Sequence, residues 1–277
     1  MNFRGANAII TGGSSGIGKA AAKLLARRGA NVFIIARDQK KLEGAVQEIE
    51  AERVSPAQRF GCFSADVRSY EEVAAAVAAT VEAGGPPDLL INSAGITHPG
   101  YFEEIPLSVF RDMMDTNYFG ALHAIKAVLP HMMARKSGWI VTISSVAGLI
   151  GVFGYTAYGA SKFAVRGFSA ALRAELKPHN IGVSVLLPPD TETPQLWEEN
   201  KIKPYETKAI SGNVKPMSPE RVARELLDGI RRGKHSIIPG LESKLISRLQ
   251  GLSSLLVDWY MDRLVAKAQA RKREGRA

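Results

Sequence analysis

The chain has one cysteine, Cys62, in 277 residues. An intramolecular disulfide is therefore excluded, and a reducing compartment is expected. A long apolar run is also missing. A long uncharged stretch, residues 139–161, is interrupted throughout by Ser, Thr, Gly and Tyr, so no transmembrane helix is expected. The first residues lead straight into a strand-like segment without the apolar core of a signal peptide, and a cytoplasmic protein is expected. Internal repeats and low-complexity tracts are absent, and no metal site is expected. The formal net charge is +9, but eleven Lys or Arg and four acids fall in the last 47 residues, which leaves a nearly neutral body. That basic tail has no aromatic-interleaved patch beyond Trp259 and Tyr260 and no recognition motif, so nucleic acid is not an expected partner.

What is present is an alternation. Continuous apolar, strand-like runs occur at 7–11, 31–36, 60–67, 88–92, 138–143 and 182–187, with a last short one at 236–239. Helical patterns fall between them at 18–28, 42–50, 70–83, 107–135 (broken near Pro130) and 158–175, and another begins at Ser218 with Pro219 in its first position. Fully apolar strands alternating with helices predict an α/β fold, a single-domain, Rossmann-like, doubly wound parallel sheet with helices on both faces. The stretch 190–216 is mostly polar, contains prolines at 194, 204 and 216, and has no clear period. It is expected to be a substrate loop within a catalytic unit spanning 1–240. Residues 241–265 predict one amphipathic helix with Leu245, Leu249, Leu252, Leu256, Trp259 and Tyr260 along a stripe, followed by the basic run 267–276. Two readings of this C-terminal segment, 241–277, stand side by side. It packs on the body or a second subunit, or it lies on a cytoplasmic membrane face with its basic residues near anionic headgroups.

Tyr158 and Lys162 are four residues apart, one turn of a helix, so they share a face. A lysine ammonium beside a phenol favours the phenolate and is expected to lower the tyrosine pKa. A tyrosine tuned in this way can hand a proton to a carbonyl oxygen as hydride reaches the carbon. The spacing alone is weak, and a solvated helix face would give it too. Ser145 lies thirteen residues earlier. After the first strand, T-G-G-S-S-G-I-G spans 11–18. Gly12, Gly16 and Gly18 there allow backbone N–H groups to approach a pyrophosphate at a helix N-terminus. The second strand ends in Arg37, where an acid would select a ribose 2′-hydroxyl; a guanidinium suits a 2′-phosphate instead. A solvated turn arginine is the bland alternative, with Asp38 beside it. Asp66 after the third strand is placed to accept from an adenine amino group, or to cap the next helix.

Together with A-D-V at 65–67, N-S-A-G at 92–95, M-D-T-N-Y at 114–118, I-S-S at 143–145 and Y-G-A-S-K at 158–162, these motifs resemble the short-chain dehydrogenase/reductase family over most of residues 5–240. The resemblance implies that Tyr158 is the general acid, Ser145 binds the substrate carbonyl, Lys162 holds the nicotinamide ribose, and Asn117 anchors a relay water. It implies cofactor contacts from Gly12, Ser14, Ser15, Gly16, Ile17, Gly18, Arg37, Lys41, Asp66, Val67, Asn92, Ala94, Gly95, Tyr158, Lys162, Pro188, Thr191 and Thr193. The cofactor expected is NADPH, and a homo-oligomer is expected. Tyr155 reads as a decoy, because no lysine follows it at the right spacing. The chain departs from the family at Ser93, usually Asn, and at Pro189, usually Gly. Within the family, the segment from Pro188 to Thr207, supported by 148–158 and 174–180, resembles members that reduce the 3-keto group of long-chain sphingoid bases. Alternatives are a reductase of 3-oxoacyl chains or steroid-like ketones, or a non-catalytic NADPH-binding scaffold.

Overall fold

The computed structural model describes residues 1–212 and 215–274. Seven strands form one parallel sheet in the order β3-β2-β1-β4-β5-β6-β7. They are β1 (Asn7–Thr11), β2 (Asn31–Ala36), β3 (Phe60–Ser64), β4 (Leu89–Asn92), β5 (Gly138–Ile143), β6 (Ile181–Leu186) and β7 (Ser236–Ile237). Helices α1 (Gly16–Arg27), α2 (Gln39–Glu50), α3 (Tyr70–Gly84), α4 (Leu107–Met113), α5 (Gly120–Arg135), α6 (Thr156–Leu176) and α9 (Pro219–Arg231) complete the crossovers. Two more, α7 (Pro194–Ile202) and α8 (Tyr205–Ser211), interrupt the connection from β6 to α9, and α10 (Leu241–Leu252) and α11 (Ser254–Arg273) follow β7.

The strands are apolar on both sides because both sides are covered. Ala8 and Ile10 of β1, Val32 and Ile34 of β2 and Leu89 and Ile91 of β4 pack with α1, α2 and α9. The alternate residues Ile9, Ile35, Leu90 and Ile140 pack with α3, α5 and α6. This is the period-two alternation of a strand, with both phases buried. Truncating a fully buried member such as Ile9 to Ala costs about 2–5 kcal/mol.

Three sequence expectations are corrected. The helix over 107–135 does not break at Pro130. It carries a π-turn at Met114–Phe119 and continues through the proline. Pro130 and Lys126, whose carbonyl the missing N–H would have bonded, are both exposed, so the lost bond lies on the solvent side of the helix. The stretch 190–216 is not structureless: Thr193 caps α7, its Oγ1 accepting from Leu196 N at 3.2 Å, and Pro194 opens the helix. Residues 213 and 214 of that stretch lie outside the described residues. The C-terminal segment is two helices, broken at Ser253, whose backbone is extended (φ −159°). Leu245, Leu249, Leu252, Leu256, Trp259 and Tyr260 are exposed, while Val257 is buried against Leu149, Ile150, Val185 and Leu187. Arg276 of the basic run lies outside the described residues. No helix among the described residues is long and apolar enough to cross a membrane.

Candidate active site

Parallel strands bring all their carboxyl ends to one edge, and the strand order reverses between β1 and β4. A cavity of about 400 Å³ opens at that edge, the crevice where open α/β sheets bind ligands. Its wall includes Gly12, Ser15, Gly16 and Ile17 after β1, Ala94 and Gly95 after β4, Ser145 after β5, Tyr158 and Lys162 on α6, and Pro188, Thr191 and Thr193 after β6.

The glycine turn is tight for a stated reason. Gly12 has a φ of +66°, and a Cβ on it would lie 2.6 Å from Ala94 N. A Cβ on Gly18 would lie 2.4 Å from the Gly12 carbonyl oxygen. Ser15 precedes α1 without a side-chain cap, which leaves the first-turn N–H groups free to face an anion. At the neighbouring strand end, both polar atoms of the buried Asn92 amide have no protein partner among the described residues. An orphaned buried amide beside an open helix N-terminus fits a nicotinamide dinucleotide, which supplies phosphate oxygens and ribose hydroxyls.

Tyr158 and Lys162 stand one turn apart on α6, with the Lys162 Nζ 5.5 Å from the centre of the Tyr158 ring. Nζ donates to the Ile143 carbonyl at 2.9 Å. The expected depression of the tyrosine is not what the site shows. Burial pushes the Tyr158 phenol up to about 12, partly offset by its hydrogen bond with Ser145, and Asp190 adds to the rise. Burial also pushes Lys162 down to about 8. In both groups the low-dielectric surroundings disfavour the charged form.

Asn117 lies in the π-turn and its amide is committed. Nδ2 donates to the Ile96 carbonyl at 3.0 Å and to Ser161 Oγ at 2.9 Å, and Oδ1 accepts from Ile96 N at 2.8 Å. Ser161 Oγ in turn donates to the Tyr158 carbonyl at 2.7 Å. Asn117 thus ties the strand-end loop to the helix that carries the tyrosine. Asp66 is held by Arg68, whose Nη2 is 2.6 Å away, and this guanidinium keeps its carboxyl low; the cap of α3 is Ser69. Val67 is buried and its carbonyl receives His123 Nδ1 at 2.9 Å. Arg37 and Lys41 are exposed, away from the cavity wall. Ser14, Gly18, Asp66, Val67, Asn92 and Asn117 also lie off that wall. The Thr193 hydroxyl caps α7 and its methyl approaches the Gly16 position.

Several wall residues were not singled out by their spacing. Tyr155, read as a decoy, is buried with its ring centre 5.4 Å from that of Tyr158 and hydrogen-bonds Glu199 of α7. Asp190 and Glu199 face the cavity. The i,i+4 pair Glu199–Lys203 was a visible signal. From the C-terminal helices come Ser243, Ile246, Tyr260, Met261 and Leu264, and Lys272 of α11 reaches Tyr101 Oη at 2.9 Å and Glu206 of α8 at 3.6 Å.

The short chain dehydrogenase family matches residues 6–203. The chain belongs to that family, the short-chain dehydrogenases/reductases, and is an oxidoreductase of the nicotinamide-dinucleotide-binding kind. It is similar to the 3-dehydrosphinganine reductase of Danio rerio, 42% identical over 250 residues, 90% of this chain and 75% of that protein. It is equally similar to the 3-ketodihydrosphingosine reductase of Mus musculus, 42% identical over 246 residues, 88% of this chain and 74% of that protein. Among solved structures, levodione reductase superposes with a TM-score of 0.78 at 25% identity, covering 87% of this chain and 99% of that one.

Proposed function

We propose that the chain reduces the 3-keto group of 3-ketodihydrosphingosine to dihydrosphingosine with NADPH. The observation that carries this reading is one cavity in which Tyr158, Ser145 and Lys162 meet a predominantly apolar wall, in a chain 42% identical to relatives named for that reaction. The bound nicotinamide supplies the hydride. The Ser145 hydroxyl, which accepts from Ala147 N at 3.1 Å, keeps its own proton to donate to the substrate carbonyl oxygen. Tyr158 is fully protonated at neutral pH because its pKa is pushed up to about 12, so it enters the reaction as the acid. It transfers its phenolic proton to the same oxygen as negative charge develops there. Lys162, still a cation below about 8, stabilises the phenolate left behind and holds the ribose hydroxyls. Asn117, through Ser161, fixes the height of Tyr158.

Preference for NADPH rests on Arg37 at the end of β2, whose guanidinium hydrogen-bonds to nothing among the described residues and is available to a 2′-phosphate. A peripheral seat on an anionic membrane face is supported by exposed Leu245, Leu249, Leu252, Leu256 and Trp259 beside a basic tail. The deciding assay follows NADPH consumption with 3-ketodihydrosphingosine against a 3-oxoacyl thioester. Turnover of the thioester alone would transfer the reading to acyl chains.

A further inference from the structure

The chain carries a net charge of +9, yet its cavity is acidic. The wall presents Asp190, Glu199 and Glu242 against one lysine, Lys162. Behind it a second lysine, Lys203, has a side chain only 1% exposed. Its Nζ lies 2.9 Å from Glu199 Oε1 and 3.3 Å from Asp190 Oδ2. Tyr155 also donates its hydroxyl to Glu199. Three carboxylates against two lysines, Lys162 and Lys203, leave one negative charge in surplus around the cavity, and a charge held in a low-dielectric crevice is stabilised by whatever pairs with it. Lys272 of α11 is committed to Tyr101 and Glu206.

The surplus sits beside the reacting group. Asp190 lines the same cavity as Tyr158 and its charge adds to the rise of the phenol, and Tyr155, which holds Glu199, stacks at a tilt against Tyr158. Tyr155, Tyr158, Asp190 and Glu199 line one cavity, so a substrate whose ketone meets Tyr158 shares that cavity with these carboxylates.

We propose that Asp190 and Glu199, bridged by Lys203, bind an ammonium group carried on the carbon next to the substrate's ketone. This rests on the keto-sphingoid reading and deepens it. A 3-keto sphingoid base has its amine at that carbon, whereas 3-oxoacyl chains and steroid ketones have none. With the ammonium bound, charges alternate along carboxylate, Lys203, carboxylate and substrate, and the surplus is neutralised. The amine then fixes the polar head, the ketone is presented to Tyr158 and Ser145, and the alkyl chain follows Leu196, Ile246, Met261 and Leu264.

The test compares kcat/KM for 3-ketodihydrosphingosine and for the same long-chain hydroxy ketone lacking the amine, with the full chain and NADPH. The wild type is expected to favour the amino ketone by roughly 10–100-fold, the range for a hydrogen bond to a charged group. E199Q and D190N are each expected to cut that ratio by about 10-fold, mainly through KM, which a purely structural role would not do because it would lower both substrates together. Equal wild-type efficiency on the two ketones, or a ratio unmoved in both variants, overturns the amine site while leaving ketone reduction in place. If E199Q fails to fold, the wild-type ratio and D190N still decide. Reduction of neither ketone removes the keto-sphingoid reading, and the amine site with it.

Discussion

Replacing Gly12 by alanine tests the cofactor cradle through its sterics. The residue has a φ of +66°, and an added Cβ would lie 2.6 Å from Ala94 N, 2.7 Å from Ala94 Cα and 2.8 Å from the Ser93 carbonyl carbon. All three are backbone atoms of the loop leaving β4, so no flexible side chain can move aside. The left-handed conformation costs a non-glycine residue about 1–2 kcal/mol, and forced overpacking costs about 1–3 kcal/mol. A loss of about 2–5 kcal/mol lowers the melting temperature by roughly 5–15 °C in a chain of this size. Any relief comes from parting the two loops, which separates the first-turn N–H groups of α1 from Asn92, so NADPH affinity should fall with stability. Gly44→Ala in α2 is the control. Its Cβ would meet nothing within 4 Å, and the exchange should stabilise by about 0.5–1 kcal/mol. Thermal unfolding and NADPH titration, monitored by protein fluorescence, measure both effects. A G12A protein that melts within about 2 °C of wild type and binds NADPH normally would refute the close approach of the two loops.

Tyr158→Phe should lower turnover by roughly 10²–10⁴-fold with NADPH binding retained, since only the proton donor is lost; single-turnover assays that keep more than a tenth of the rate would exclude Tyr158 as the acid. Arg37→Glu should reduce the NADPH-to-NADH ratio of kcat/KM by roughly 10–100-fold, and an unchanged ratio would shift the phosphate contact to Ser14 or to Lys19, which now pairs with Glu48 at 2.9 Å. Reduction should slow as pH rises through about 8, because Lys162 loses its charge there while Tyr158 stays protonated to about 12; a rate profile flat across that pH would contradict the role given to Lys162. Removing residues 267–277 should weaken sedimentation with anionic vesicles in a salt-sensitive way. The same truncation should raise KM, because it deletes the Lys272 link between α11 and α8; unaltered vesicle binding would leave the tail without a membrane role.

Much of this protein was settled by its sequence. Apolar runs such as Asn31–Ala36 can be buried only in a sheet covered on both faces, so the alternation with helices dictates the doubly wound fold. A glycine turn after β1 and a Tyr–Lys pair at helical spacing are likewise local, because backbone reach and helix geometry act over a few residues. Other properties depend on which distant segments come together. Tyr158 was expected to be depressed by its lysine, but the tertiary structure buries it and raises it, since desolvation depends on everything packed around a group. Tyr155, Glu199 and Lys203 have no shared motif, and they meet because Thr193 starts a helix that folds α7 over the cavity. The C-terminal stripe follows the same logic. Its periodicity is a property of the chain, but which face it turns to the cavity was decided by the break at Ser253 and by the docking of Val257 and Lys272.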